Sequence, residues 1–221
     1  MLNNPFIVIT STENDKVVDR VRERAELQLA INDLLHKNGG IIVVYGPPGI
    51  GKSTIINWVT ADLKRKEDLS VMKEEFGLTV FNKLKTFNIP PDKKAIIILD
   101  DFNNLDLLDR QTQNKILDLI IELSKKIVVI VVDNRDKPVH KQLSSLEKET
   151  VKELKVESMN KNDILQMIAN RLNLVRPVPS SDIAPFTKEE IDKVYHKSDG
   201  NPRVVLLILS TLFDKKQEIE F

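Results

Sequence analysis

Lys52 and Ser53 close the run Gly46-Pro47-Pro48-Gly49-Ile50-Gly51-Lys52-Ser53-Thr54, whose residue types and spacing are those of a phosphate cradle. Glycines at 46 and 51 let the backbone curl with its N–H groups inward, and the positive end of a following helix adds to the attraction for phosphate oxygens. The Lys52 ammonium is then placed to reach β- and γ-phosphates, and the Ser53 hydroxyl to meet a magnesium ion. The expected nucleotide contact is the whole stretch, with Pro47, Pro48, Gly49, Ile50 and Thr54 included.

A second set of oxygen donors lies about fifty residues on, where Ile96-Ile97-Ile98-Leu99 ends in Asp100-Asp101. Magnesium is a hard cation that keeps part of its hydration shell, so Asp100 is expected to hold it through water and Asp101 to orient or polarise the attacking water. Another apolar stretch ends in Asp133-Asn134-Arg135. Asn134 is the candidate for contact with water or γ-phosphate; the plainer reading is strand-end turn chemistry. Arg203 stands in the first turn of the last expected helix, where a cation opposes the macrodipole. Its compensating anion is either a bound triphosphate or a carboxylate such as Asp199.

Strands and helices must bring these groups together. Val17 to Lys37 reads as an amphipathic helix with Leu27, Ile31, Leu34 and Leu35 on one stripe, ended by Asn38-Gly39-Gly40. Ile41 to Tyr45 suits a central parallel strand covered on both faces. A helix follows from Lys52 to about Arg65, then a short strand from Leu69 to Met72 and a helix from Glu74 to Phe87. Ala95 to Leu99 is a strand, Gln111 to Ser124 a helix with Ile116, Leu119, Ile120 and Leu123 inward, Ile127 to Val132 a strand, and Thr150 to Val156 a last strand. Such alternation predicts an α/β fold with a parallel sheet flanked by helices. From Ser158 only helices follow: Asn162 to Leu174 with Ile164, Leu165, Ile168 and Leu172, one opening at the capping box Thr187 to Glu190, and one opening at Asn201-Pro202. The expected domains are residues 1–157, which bind nucleotide, and residues 158–221, a helical subdomain.

Composition narrows the chemistry further. The chain has 221 residues, of which 41% are hydrophobic, enough to fill a core. Lys and Arg total 33 and so do Asp and Glu, so no net field draws the molecule to nucleic acid or anionic membrane. Without cysteine there are no disulfides, zinc-thiolate sites or thiol nucleophiles, and His36, His140 and His196 form no metal-ligand spacing. No apolar run is long enough to span a bilayer and the start lacks the pattern of a secretory signal, so a cytoplasmic location is expected.

Together, GPPGIGKST, IIILDD, the strand end Asp133-Asn134 and the helix start Gly200-Asn201-Pro202-Arg203 resemble the AAA+ ATPases, nearest to the origin-recognition and DnaA-like branch. The resemblance implies a P-loop NTPase fold with a C-terminal lid, Lys52 and Ser53 in Walker A, Asp100 and Asp101 in Walker B, Asn134 as sensor 1 and Arg203 as sensor 2. It further implies ATP and Mg2+ as cofactors, turnover of ATP to ADP, ATP-dependent self-association, and DNA or a DNA-bound protein as partner. The implied setting is a DNA transaction such as replication initiation, helicase loading or genetic-element maintenance. Two departures stand out. Asp101 replaces the usual glutamate and is one methylene shorter, so hydrolysis is expected to be slow. The window Lys141 to Glu149, where an arginine finger is expected, contains no arginine; Arg135 or Arg171 would have to substitute. The Asp-Asp pair and Arg135 also resemble the STAND regulatory ATPases, which implies as the alternative a nucleotide-controlled switch with negligible turnover.

Overall fold

Runs of β-branched residues bounded by turns form strands, and the 3.6-residue stripes between them become helices that cover the strands. The structure, a computed structural model, describes residues 4–7, 20–77, 79–137 and 143–219. It divides into two compact units: residues 22–48 with 52–156, and residues 1–21 with 49–51 and 157–221.

The first unit is an α/β sandwich. In chain order it contains α1 (Val21–His36), β1 (Gly40–Tyr45), α2 (Lys52–Leu63), β2 (Leu69–Glu75), α3 (Val80–Thr86), β3 (Lys94–Asp100), a 3-10 turn (Phe102–Leu107), α4 (Arg110–Ser124), β4 (Val128–Asp133), α5 (Ser144–Glu147) and β5 (Thr150–Lys155). The sheet has the order β2-β3-β4-β1-β5, and every neighbouring pair is parallel. Register sets Tyr45 beside Asp133 and Glu75 beside Asp100, which collects the carboxyl ends of β1 to β4 on one edge of the sheet. That edge is where ligands bind in open α/β sheets. Ile41 to Val44, Ile96 to Leu99 and Val128 to Val132 are all buried, as strands covered on both faces must be.

Several expected elements shift. The helix expected from Glu74 begins at Val80, because β2 stays paired with β3 through Lys73, Glu74 and Glu75 before the chain turns at Gly77. Lys73, Glu74 and Glu75 thus extend the expected strand, and an edge strand accommodates such charged side chains. The helix expected from Val17 begins at Val21, since Arg20 has φ +73°, outside the helical region; residues 17–19, like His140 and Lys141, lie outside the described residues. In α4 the buried residues are Ile116, Leu117, Ile120 and Ser124, while Leu119 and Leu123 pack half-buried at the margin. The short α5 and the 3-10 turn had no counterpart in the sequence reading.

The second unit has its own core. α6 (Lys161–Leu172), α7 (Lys188–Ser198) and α8 (Pro202–Ile219) bury Ile164, Ile168, Ile191, Val205 and Leu209 against Phe186 and Phe213. Phe6 joins them fully buried, edge-on to both aromatic rings at 5.5 and 5.8 Å, and Asn4 fixes the segment by donating to the Ser210 carbonyl and to Asp214. α7 opens with a complete capping box: Thr187 accepts from the Glu190 N–H and Glu190 accepts from the Thr187 N–H at 2.8 Å. That backbone bond, with help from Lys216, holds the Glu190 carboxyl below its ordinary pKa. A depressed folded-state pKa contributes stability that is present above the unfolded value and lost as the pH falls through the folded one. Thr187→Ala, which removes the hydroxyl that accepts from the Glu190 N–H, should cost about 1 kcal/mol in urea melts at pH 7. The deficit should persist below the carboxylate range, because protonating Glu190 weakens the other bond of the box, the one from the Thr187 backbone N–H, which alanine keeps.

Candidate functional site

Lys52 is the first residue of α2 and only 4% exposed. An ammonium cannot stay buried unpaired, and its Nζ donates to the Gly46 carbonyl at 2.7 Å and the Pro47 carbonyl at 2.8 Å. The charge is thus held against the loop it terminates. Gly46, Gly49 and Gly51 have φ of +151°, +79° and +103°, conformations that side chains rarely adopt. Ser53 follows in the first turn of α2 with its side chain exposed, and Thr54 is half-buried beside it.

Asp100 ends β3 with 6% of its surface exposed. Its Oδ1 accepts from the Asp101 N–H at 3.1 Å, and its Oδ2 lies 3.5 Å from Lys73 Nζ. Asp101 takes the left-handed conformation, φ 54° and ψ 42°, where the chain leaves the strand for the 3-10 turn. Just past the end of β4, Asn134 donates through Nδ2 to Asp101 Oδ1 at 2.6 Å and to Asn103 Oδ1 at 3.1 Å. Asp101 and Asn134, expected on separate strand ends, are therefore directly bonded. Arg135 pairs with Asp106 at 2.8 Å and Asp133 at 3.6 Å, and donates to the Asn103 carbonyl.

Arg203 is described with the helical unit. Asn201 caps α8 by accepting from the Arg203 and Val204 N–H groups, and the Arg203 N–H also faces the Gly49 carbonyl at 3.3 Å. The approach is close enough that a Cβ at Gly49 would come within 2.9 Å of Arg203 Cβ. Arg20 donates to the Ile50 carbonyl at 2.9 Å and the Glu157 carbonyl at 2.7 Å.

Four residues at these places were missed from sequence: Lys73, Asn57, which accepts from Lys73 Nζ, Asn103 and Arg20. Asn103, two residues past Asp101, offered a signal in the polar pair Asn103-Asn104. Lys73 fell between the expected strand ending at Met72 and the expected helix from Glu74, and offered no signal. Arg20 offered nothing, because its role depends on a backbone turn.

Comparison with known proteins agrees on the fold. The family model described as Novel STAND NTPase 3 matches residues 24–174. Among curated proteins none matches. The Drosophila ORC structure bound to DNA is similar at 17% identity and TM-score 0.71, over 98% of this chain and 60% of that one. Aeropyrum pernix ORC2, solved as ADPNP-ADP complexes, is similar at 16% identity and TM-score 0.66, over 99% of this chain and 68% of that one. Domain III of the Thermotoga maritima replication initiation protein DnaA is similar at 15% identity and TM-score 0.59, over 100% of this chain and 92% of that one. The chain thus spans about 60% of the length of the Drosophila protein. Among the described residues no helix is long and apolar enough to cross a membrane.

Proposed function

Because the chain belongs to the Novel STAND NTPase 3 family, we propose that it binds magnesium and ATP in the Gly46 to Thr54 loop and works as a nucleotide-controlled switch with slow hydrolysis. The observation that carries this reading is the buried Lys52 ammonium held at the head of α2 beside a loop with three left-handed glycines. Loop amides and ammonium would take the phosphates. Ser53 and Asp100 are oxygen donors of the kind magnesium accepts, so the residues fit the ion, which when bound neutralises charge developing on the phosphates. Asp101, oriented by Asn134, would accept the proton of the attacking water. Arg203 would distinguish ATP from ADP, and residues 158–221 would serve as a lid subdomain.

A second reading places the switch in a DNA transaction, with DNA or a DNA-bound protein as partner. It is favoured by the likeness to the Drosophila ORC structure bound to DNA. A cytoplasmic location is consistent with either reading. Light scattering on the full chain with no nucleotide, ADP or ATP, each with and without duplex DNA, tests them. An ATP-dependent change of mass or hydrodynamic radius is expected. Identical behaviour in all three nucleotide states would overturn the switch, and a change requiring DNA would favour the second reading.

A further inference from the structure

Lys73 is the residue at this site that the nucleotide reading leaves without a task. It lies in β2, the edge strand, opposite Ile98 of β3. Lysines on edge strands commonly point to water and discourage pairing with other chains. This one does the reverse. Its side chain is 24% exposed, and its Nζ bonds to Asn57 Oδ1 and lies 3.5 Å from Asp100 Oδ2.

Both partners bear on the magnesium ligands. Asp100 is nearly buried, where a carboxylate is costly without a partner of opposite charge, and the Lys73 ammonium lies 3.5 Å away. Asn57 stands four residues after Ser53 on α2, so the two side chains share one face of that helix, one turn apart. The ammonium is therefore tied directly to the one ligand and, through the next turn of helix, to the element that carries the other.

We propose that Lys73 is a positioning residue that sets the magnesium affinity of this site: it neutralises and orients Asp100 in the metal-free protein and competes with the metal for that carboxylate. The inference rests on Asp100 facing magnesium, as proposed above. A divalent ion arriving at Asp100 meets a fixed positive charge a few ångströms away. Metal without phosphate therefore enters at the greatest disadvantage, and the added negative charge of a triphosphate offsets only part of it.

The test is the binding of a fluorescent ATP analogue to the full chain across a range of free Mg2+, in wild type, Lys73→Met, Lys73→Arg and Asp100→Asn. Lys73→Met removes the charge at nearly constant length and should lower the Mg2+ midpoint roughly tenfold, the order expected of like charges at this separation under near-aqueous screening. Lys73→Arg should stay within about twofold of wild type, and so should the affinity of every variant in EDTA, which a purely structural role would not spare. Should Lys73→Met fail to fold, Lys73→Gln, which keeps a donor to both partners, makes the same comparison. An unchanged or raised midpoint in the uncharged variant, with Asp100→Asn having abolished the magnesium dependence, would overturn the role of Lys73 alone. Wild-type magnesium dependence in Asp100→Asn would instead overturn the metal assignment, and the inference with it.

Discussion

Lys52→Ala is expected to lose at least about a hundredfold in ATP affinity, corresponding to roughly 3 kcal/mol, as measured by direct titration at fixed Mg2+. The size follows from where the ammonium sits. At 4% exposure Lys52 has already given up most of its water, and the Gly46 and Pro47 carbonyls hold it in the loop before any ligand arrives. A phosphate oxygen then gains a charge-assisted bond without a fresh desolvation cost, and fixed donors of this kind are worth more than mobile ones in water. Truncation also takes a donor from the Gly46 carbonyl, which is buried, so about 1–3 kcal/mol of folding stability should go with it. Melting curves separate the two effects. A folded Lys52→Ala protein with wild-type affinity for ATP would remove the basis for the proposed function.

Reading the fold from sequence worked where a single local pattern decides the structure. β1, β3 and β4 are continuous β-branched runs, and only a strand covered on both faces uses such runs at that length, so a parallel sheet followed directly. The loop after β1 was legible for the same reason, since its glycine spacing encodes the backbone conformation itself. Reading failed where the structure depends on partners distant in sequence. Lys73 and Glu74 lie in a strand because β3 pairs with them, although no apolar run after Met72 marks it. Phe6 carries no local signal, and its burial between Phe186 and Phe213 comes from residues about 180 and 207 positions away. The bond from Asn134 to Asp101 is intermediate: both side chains were recognisable as polar strand ends, but only the order β3 next to β4 brings them to 2.6 Å.

That bond makes Asp101→Asn the sharpest test of turnover. Asp101 has left-handed backbone angles, which asparagine tolerates nearly as well, so the substitution should not disturb the turn after β3. An asparagine Oδ1 can still accept from Asn134 Nδ2, so the local hydrogen bonding can also persist. What is lost is the negative charge and the ability to take a proton. ATP affinity should therefore remain within about twofold of wild type. Single-turnover hydrolysis should fall about a hundredfold, the lower end of what a positioned general base contributes, because an aspartate is a methylene shorter than a glutamate and reaches the water less well. Rapid-quench measurement on excess enzyme reads the chemical step without product release. Equal rates in the two proteins would mean that Asp101 does not activate water; its bond to Asn134 would then serve to report nucleotide state from β3 to β4, and the chain would be a switch whose timing is set by nucleotide release.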